Sequence, residues 1–130
     1  MSAFGRHLGI AFQYVDDVLG IWGESAQTGK PRGSDVRARK LSLPIAYVLG
    51  LGTPAAETVS AAYASGELLS DRECGEVIAA VEEAGARSWA MAGAERHIAA
   101  ALDCLDNLTS QPGPAAELQA LAHLLLRRNH

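Results

Sequence analysis

Residues 12–45 read FQYVDDVLGIWGESAQTGKPRGSDVRARKLSLPI: two adjacent aspartates within an apolar helical pattern, then a loop of glycines and lysines. Working back from this stretch, the periodicity predicts one long helix from about Ala3 to Trp22. Leu8, Phe12, Val15, Leu19 and Trp22 recur at steps of 4, 3, 4 and 3 and form its apolar stripe. Gln13, Asp16, Asp17 and Gly20 fall at i, i+3, i+4 and i+7, so they share another face. Burying two neighbouring carboxylates is costly, because like charges a few ångströms apart oppose each other's ionisation. A divalent cation removes that cost, and aspartate oxygens with water and phosphate in the remaining positions suit Mg²⁺. The competing reading is a solvated helix face.

The loop that follows is a dozen or so residues long, from Gly23 to about Asp35, with three glycines and Pro31. Thr28-Gly29-Lys30, Gly33-Ser34-Asp35 and Lys40 bring two lysines, an aspartate and exposed amides into a short span. Glycine turns and helix N-termini offer N–H groups to anions, and lysine adds a point charge. Carboxylates for a metal and lysines for phosphate together describe a diphosphate site; taken alone, the loop also reads as ordinary charged surface.

Onward from Asp35 the chain again reads as helix, and no β-branched alternation predicts a sheet. A second helix is expected to start between Asp35 and Lys40 and run to the Gly50-Leu51-Gly52 stop, with Pro44 either kinking it or setting its true start. Thr53-Pro54 opens a third helix, closed by Gly66. Ser70 and Glu73 form a capping box for a fourth helical region, lasting to about Leu108 and broken or bent at Gly85 and Gly93. Pro112-Gly113-Pro114 is a turn before a last helix from Ala115 to Arg128. The Gly50-x-Gly52 pair follows a helix and is a stop signal, not a dinucleotide fingerprint.

Composition narrows the classes further. The chain has 130 residues, 48% of them hydrophobic and 20% charged, which is globular and at most one domain. No apolar run is long enough for a membrane span, and no charged-then-apolar leader opens the chain, so a cytoplasmic location is expected. The net charge of −4 with scattered basic residues argues against nucleic acid. Cys74 and Cys104 lack C-x-x-C spacing and are expected to be buried free thiols. His7, His97, His123 and His130 show no paired ligand spacing, which predicts surface or capping roles. Trp89 and Met91 are expected in core or subunit contacts.

With these residues in place, the stretch resembles the second aspartate-rich region of the trans-prenyl diphosphate synthases, with the wording of their actinobacterial branch. The family pattern is F-Q-x-x-D-D-x-x-D, then G-K-x-x-G-x-D and a lysine before a T/S-L-P segment. It is met here by Phe12-Gln13, Asp16-Asp17, Gly29-Lys30, Gly33, Asp35, Lys40 and Ser42-Leu43-Pro44. Gly20 stands where the general pattern has its third aspartate. The resemblance extends over nearly the whole chain.

What the resemblance implies is an all-α fold, the C-terminal helices of the isoprenoid synthase bundle with the N-terminal half absent. Residues 1–130 would be a single partial domain, with the second aspartate-rich region at 8–44 and C-terminal helices at 53–130. It also implies a Mg²⁺-dependent condensation of an allylic diphosphate with isopentenyl diphosphate. Carried over residue by residue, Asp16 would ligate Mg²⁺, and Asp17 would bind metal through water or orient Lys30. Lys30 and Lys40 would hold the allylic diphosphate with Asp35 beside them, and Phe12 and Gln13 would line the cavity near the reacting carbons. The family's first aspartate-rich motif is not found, since Asp16-Asp17 is the only Asp-Asp pair. Two readings follow. Either a partner chain supplies that motif, or the chain is a noncatalytic diphosphate-binding or regulatory subunit, or a truncated synthase, that could self-associate.

Overall fold

The computed structural model describes residues 2–64 and 66–108. Every regular element among them is helical: α1 (Ala3–Trp22), α2 (Ser25–Thr28), α3 (Ser34–Arg37), α4 (Leu43–Leu49), α5 (Pro54–Tyr63), α6 (Asp71–Glu83) and α7 (Ala86–Leu108). The predicted turn at Pro112–Pro114 and the helix from Ala115 to Arg128 lie outside the described residues.

Helix boundaries follow local chemistry. The α1 bounds match the periodicity reading. Pro44 sits in the first turn of α4, where its missing N–H costs nothing, so it sets the true start of that helix. Thr53 caps α5, its hydroxyl accepting the Ala56 N–H. The Ser70–Glu73 capping box is complete, with Glu73 N donating to Ser70 Oγ at 3.2 Å and Ser70 N donating to Glu73 Oε1 at 3.0 Å. Gly85, at φ +79°, ends α6 in the left-handed conformation that costs a glycine least. Gly93 does not break α7.

The chain divides into two units, Met1–Asp16 with Met91–His130, and Asp17–Ala90. In the first, Ala11 and Ile98 are buried together with Leu102 packed against them. A Cβ on Gly93 would stand 2.5 Å from Tyr14 Cε1, so α7 lacks a side chain there because the Tyr14 ring fills the space. The His7 and His97 Nδ1 atoms are 3.0 Å apart, and Tyr14 stacks on the His97 ring. The expectation of separate surface or capping histidines therefore fails for these two. Ninety residues of separation hid the pair.

In the second unit, Ile21, Val36, Ile45, Val48, Val59, Val77 and Val81 are fully buried, and α5 packs against α4 and α6. Tyr47 and Trp89, both half-buried, stack at 4.4 Å. Cys74 is buried, whereas Cys104 is only half-buried; both are free thiols.

The stripe expected on α1 is shifted. Phe12 is 45% exposed, and the buried line runs Ala11, Val15, Val18 and Trp22. The helix meets its neighbour on the alanine side, where Ala11 packs with Ile98 and small residues permit close approach.

Two predictions arise here. The same substitution should act with opposite signs at two glycines. Gly75→Ala in α6, exposed and with open space around it, should stabilise by about 0.5–1 kcal/mol in urea unfolding. Gly93→Ala should destabilise by about 1 kcal/mol as Tyr14 is displaced. Second, burial, followed by the charges of His7 and Arg96, lowers the His97 pKa. The folded state thus holds its neutral form, so this contribution is present above the ordinary histidine value of 6.5 and is lost as pH falls below it. Thermal melts at pH 7.5 and 5.5 should show a smaller acid loss for His97→Gln than for the parent.

Candidate functional site

The predicted site residues fall into an ion-paired cluster and a set that stands outside it. Asp17, Asp35 and Lys40 come together, while Phe12, Gln13, Asp16 and Lys30 are exposed. Asp16 and Asp17 are neighbours on a helix and so point about 100° apart. One faces solvent and the other is 2% exposed.

A carboxylate buried to that extent must be paired and hydrogen-bonded. Asp17 Oδ2 accepts the Leu43 N–H at 2.8 Å, and Oδ1 lies 3.4 Å from Lys40 Nζ. The first bond performs a helix cap from outside the helix. Ser42 occupies the N-cap of α4 but makes no capping bond, so Asp17 satisfies one of the free N–H groups at that end. The negative charge at a helix N-terminus is also favourable.

Lys40 bridges two acids, since its Nζ is also 3.5 Å from Asp35 Oδ2. Partial burial works against its charge, but Asp35 and then Asp17 more than offset that, and its pKa is held above the usual lysine value. Lys40 reaches this position through a Schellman turn that ends α3: Lys40 N donates to Asp35 O at 2.8 Å and Arg39 N to Val36 O at 2.9 Å. Arg39 takes the left-handed position at φ 55°, where glycine is usual. The Tyr63 hydroxyl donates to Lys40 O at 3.0 Å. Burial, aided by the Asp35 charge, pushes that phenol up to about 12.

The seat of Asp35 explains Gly20. A Cβ at position 20 would lie 1.9 Å from Asp35 Oδ2 and 2.4 Å from its Cγ. Lys30 stands apart, exposed in the turn after α2, and enters no ion pair among the described residues. The Thr28 hydroxyl accepts the Lys30 N–H and donates to the Lys30 carbonyl, both at 3.1 Å. This arrangement holds the backbone of the turn and leaves the ammonium in water.

Whether Mg²⁺ fits can be judged from the donors. Asp17 has an N–H on one oxygen and an ammonium on the other, while Asp16 presents an exposed carboxylate. Among the described residues no group of three or more acidic, histidine or cysteine side chains could hold a metal ion. A cage made wholly of protein is therefore absent there. A cation that keeps several waters and takes substrate oxygens, as Mg²⁺ does, fits this donor set.

Sequence reasoning missed two contributors. The Leu43 N–H is a backbone group with no side-chain signal beyond Pro44 beside it. Tyr63 lies 23 residues beyond Lys40, with nothing in the spacing to link them.

Comparison with known proteins places this geometry in a family. The polyprenyl synthetase family model matches residues 1–81. The chain is 42% identical over 131 residues to the (2E,6E)-farnesyl diphosphate synthase of Mycobacterium tuberculosis, an alignment covering 98% of this chain and 36% of that protein. It is 36% identical over 106 residues to heptaprenyl diphosphate synthase component 2 of Geobacillus stearothermophilus, covering 81% of this chain and 32% of that protein. The geranylgeranyl pyrophosphate synthase of Corynebacterium glutamicum, solved as a complex with isoprenyl diphosphate and magnesium, superposes with a TM-score of 0.82 at 30% identity. That match covers 97% of this chain and 36% of the synthase. The chain thus spans about a third of the length of the relatives it matches and carries part of their all-helical isoprenoid synthase fold. On the family match and the shared fold together, this chain belongs to the polyprenyl synthetase family.

Proposed function

We propose that the chain is part of a Mg²⁺-dependent trans-prenyltransferase that joins an allylic diphosphate to isopentenyl diphosphate. It contributes the second aspartate-rich region and the diphosphate-binding lysines as a single partial synthase domain. A partner chain bearing the first aspartate-rich motif completes the site. The observation that carries this reading is the Asp17–Lys40–Asp35 network, in which an ammonium is held in place by two carboxylates beside an exposed aspartate. The similarity to a protein named as a synthase component supports a partner chain.

Bound Mg²⁺ would supply positive charge against the departing diphosphate and would be held by Asp16, through oxygen, with water in most other positions. The chain's residues do the remaining work. Lys40 stays protonated at any working pH and takes diphosphate oxygens, and Lys30 adds a second, mobile charge. Asp17 keeps Lys40 aimed and acts on any bound cation only through water. Phe12 and Gln13 border the allylic chain. In the reaction the allylic C–O bond breaks and the diphosphate leaves with the electron pair. The isopentenyl double bond then attacks the resulting cation, and a proton is lost. Cations already in place lower this barrier because they need no reorganisation as the charge develops.

The reading predicts a separation of roles between adjacent aspartates. The 130-residue chain is to be mixed with the separately produced upstream portion of the mycobacterial synthase, Mg²⁺ and both diphosphates, and prenyl diphosphate formation measured. Asp16→Asn should lower turnover about 100-fold while changing the unfolding free energy by less than about 0.5 kcal/mol. Asp17→Ala should lower turnover and also cost about 2 kcal/mol of stability, because it leaves the Leu43 N–H unpaired and takes from Lys40 one of its two acids. Turnover that Asp16→Asn leaves unchanged would overturn the proposal.

A further inference from the structure

Lys40 follows a stretch of chain too short to hold itself. The helix before it, α3, has four residues and one buried side chain, Val36. A single turn of helix is marginal in water without outside contacts. Bonds from the two ends of the connection between α5 and α6 supply them. At its far end, Arg37 Nη1 donates to Leu69 O at 2.9 Å, Leu69 N donates to Arg37 O at 3.2 Å, and Arg37 is ion-paired with Asp71. At its near end the bonds run both ways between Tyr63 and the adjacent pair Arg39 and Lys40. Arg39 Nη1 donates to Tyr63 O at 3.4 Å, and the Tyr63 hydroxyl donates to Lys40 O at 3.0 Å.

We propose that Tyr63 is a positioning residue for the diphosphate-binding lysine: from the last residue of α5 its hydroxyl fixes the Lys40 backbone and so sets the direction in which the ammonium leaves the turn. This inference deepens the proposed function and rests on it for the identity of the ligand.

The physical argument is one of tethering a flexible side chain at both ends. Asp17 and Asp35 hold the ammonium, but a flexible four-carbon stem separates it from the backbone, so the acids alone admit many backbone positions. The backbone is fixed by two bonds of different origin. Lys40 N donates within the turn, to Asp35 O at 2.8 Å, while Lys40 O accepts from a helix whose hydroxyl donor lies 23 residues on. The second bond ties the lysine to α5, where Val59 is fully buried one turn before Tyr63. The phenol, pushed up to about 12 by burial and the Asp35 charge, keeps its proton and remains a donor at neutral pH. Because this bond lies at the surface, water can satisfy the Lys40 carbonyl once the hydroxyl is removed, but water transmits no position from α5.

The test uses Tyr63→Phe in the full 130-residue chain and two readouts. One is the affinity for inorganic pyrophosphate with Mg²⁺ by calorimetry; the other is the NMR signal of the Lys40 ε-methylene protons, assigned by its loss in Lys40→Gln. Tyr63→Phe should weaken pyrophosphate binding about fivefold, with a urea midpoint close to that of the parent. In a Lys40→Gln background, whose amide can still donate to Asp17, the same substitution should change affinity by less than about 1.5-fold. This comparison separates a role exercised through Lys40 from a merely structural one. The two ε protons should be inequivalent in the parent and move toward one shift in Tyr63→Phe as the stem gains freedom. Parent-like affinity in Tyr63→Phe, an equal loss in both backgrounds, or unchanged ε signals would each overturn the inference. A parent chain that fails to bind Mg²⁺–pyrophosphate overturns the proposed function, while the ε signals still decide whether Tyr63 positions Lys40.

Discussion

The second unit is built around one carboxylate held out of water. Asp17 sits at 2% exposure among apolar residues of α1, and a lone charge in that position would be replaced by its neutral form or would unfold its surroundings. It is kept by a backbone N–H and an ammonium, and each recruits a different part of the chain. The N–H belongs to the first turn of α4, so Asp17 fixes where that helix begins relative to α1. The ammonium belongs to Lys40, at the end of a turn that forces Arg39 to φ 55°. A left-handed conformation costs a non-glycine residue about 1–2 kcal/mol. It persists because two turn hydrogen bonds, the Tyr63 hydroxyl on the Lys40 carbonyl and the acids around the ammonium all require it.

This arrangement divides labour between two residues that sequence motifs treat as one. Adjacent helical positions diverge by about 100°, so an Asp-Asp pair at the edge of a buried stripe sends one carboxylate inward and one outward. The inward group is occupied by the Leu43 N–H and the Lys40 ammonium. The outward group keeps its coordination free. The lysine that Asp17 holds is Lys40, where the resemblance implies Lys30.

Much of the fold was legible because it is written locally. The α1 bounds follow from a 3.6-residue period, the capping box from Ser70 and Glu73, the α4 start from Pro44 and the α6 end from Gly85. Each is a short-range signal with a single physical meaning. The failures share the opposite property. A stripe reading puts Phe12 inside because leucine and aromatic residues dominate a hydrophobic pattern, but the helix packs on its Ala11 side, and alanine weighs little in such a pattern. The His7–His97 contact joins residues 90 apart, and the Gly20–Asp35 contact is a shape relation between a missing side chain and a carboxylate of α3. Neither leaves a mark in residue spacing. Gly20 did stand out as a departure from the family pattern, which located the anomaly without revealing what filled it.

Charge within the cluster bears on the cation that the proposed function calls for. Lys40 is shared by Asp17 and Asp35, so the three groups together carry one negative charge. Such a cluster repels a diphosphate. A lysine placed only to attract anions would be better off without two acids, and its position between them has a different use. The acids fix a flexible four-carbon side chain in one orientation, which reduces the entropy lost when the ammonium takes a new ligand oxygen. Under the proposed function, a divalent cation at the outward carboxylate would meet the remaining repulsion. A diphosphate arriving without the metal meets net negative charge, and a metal arriving without the diphosphate finds no protein cage among the described residues. If the proposed function holds, the electrostatics of this cluster would couple the binding of the two and favour a substrate that enters as its metal complex.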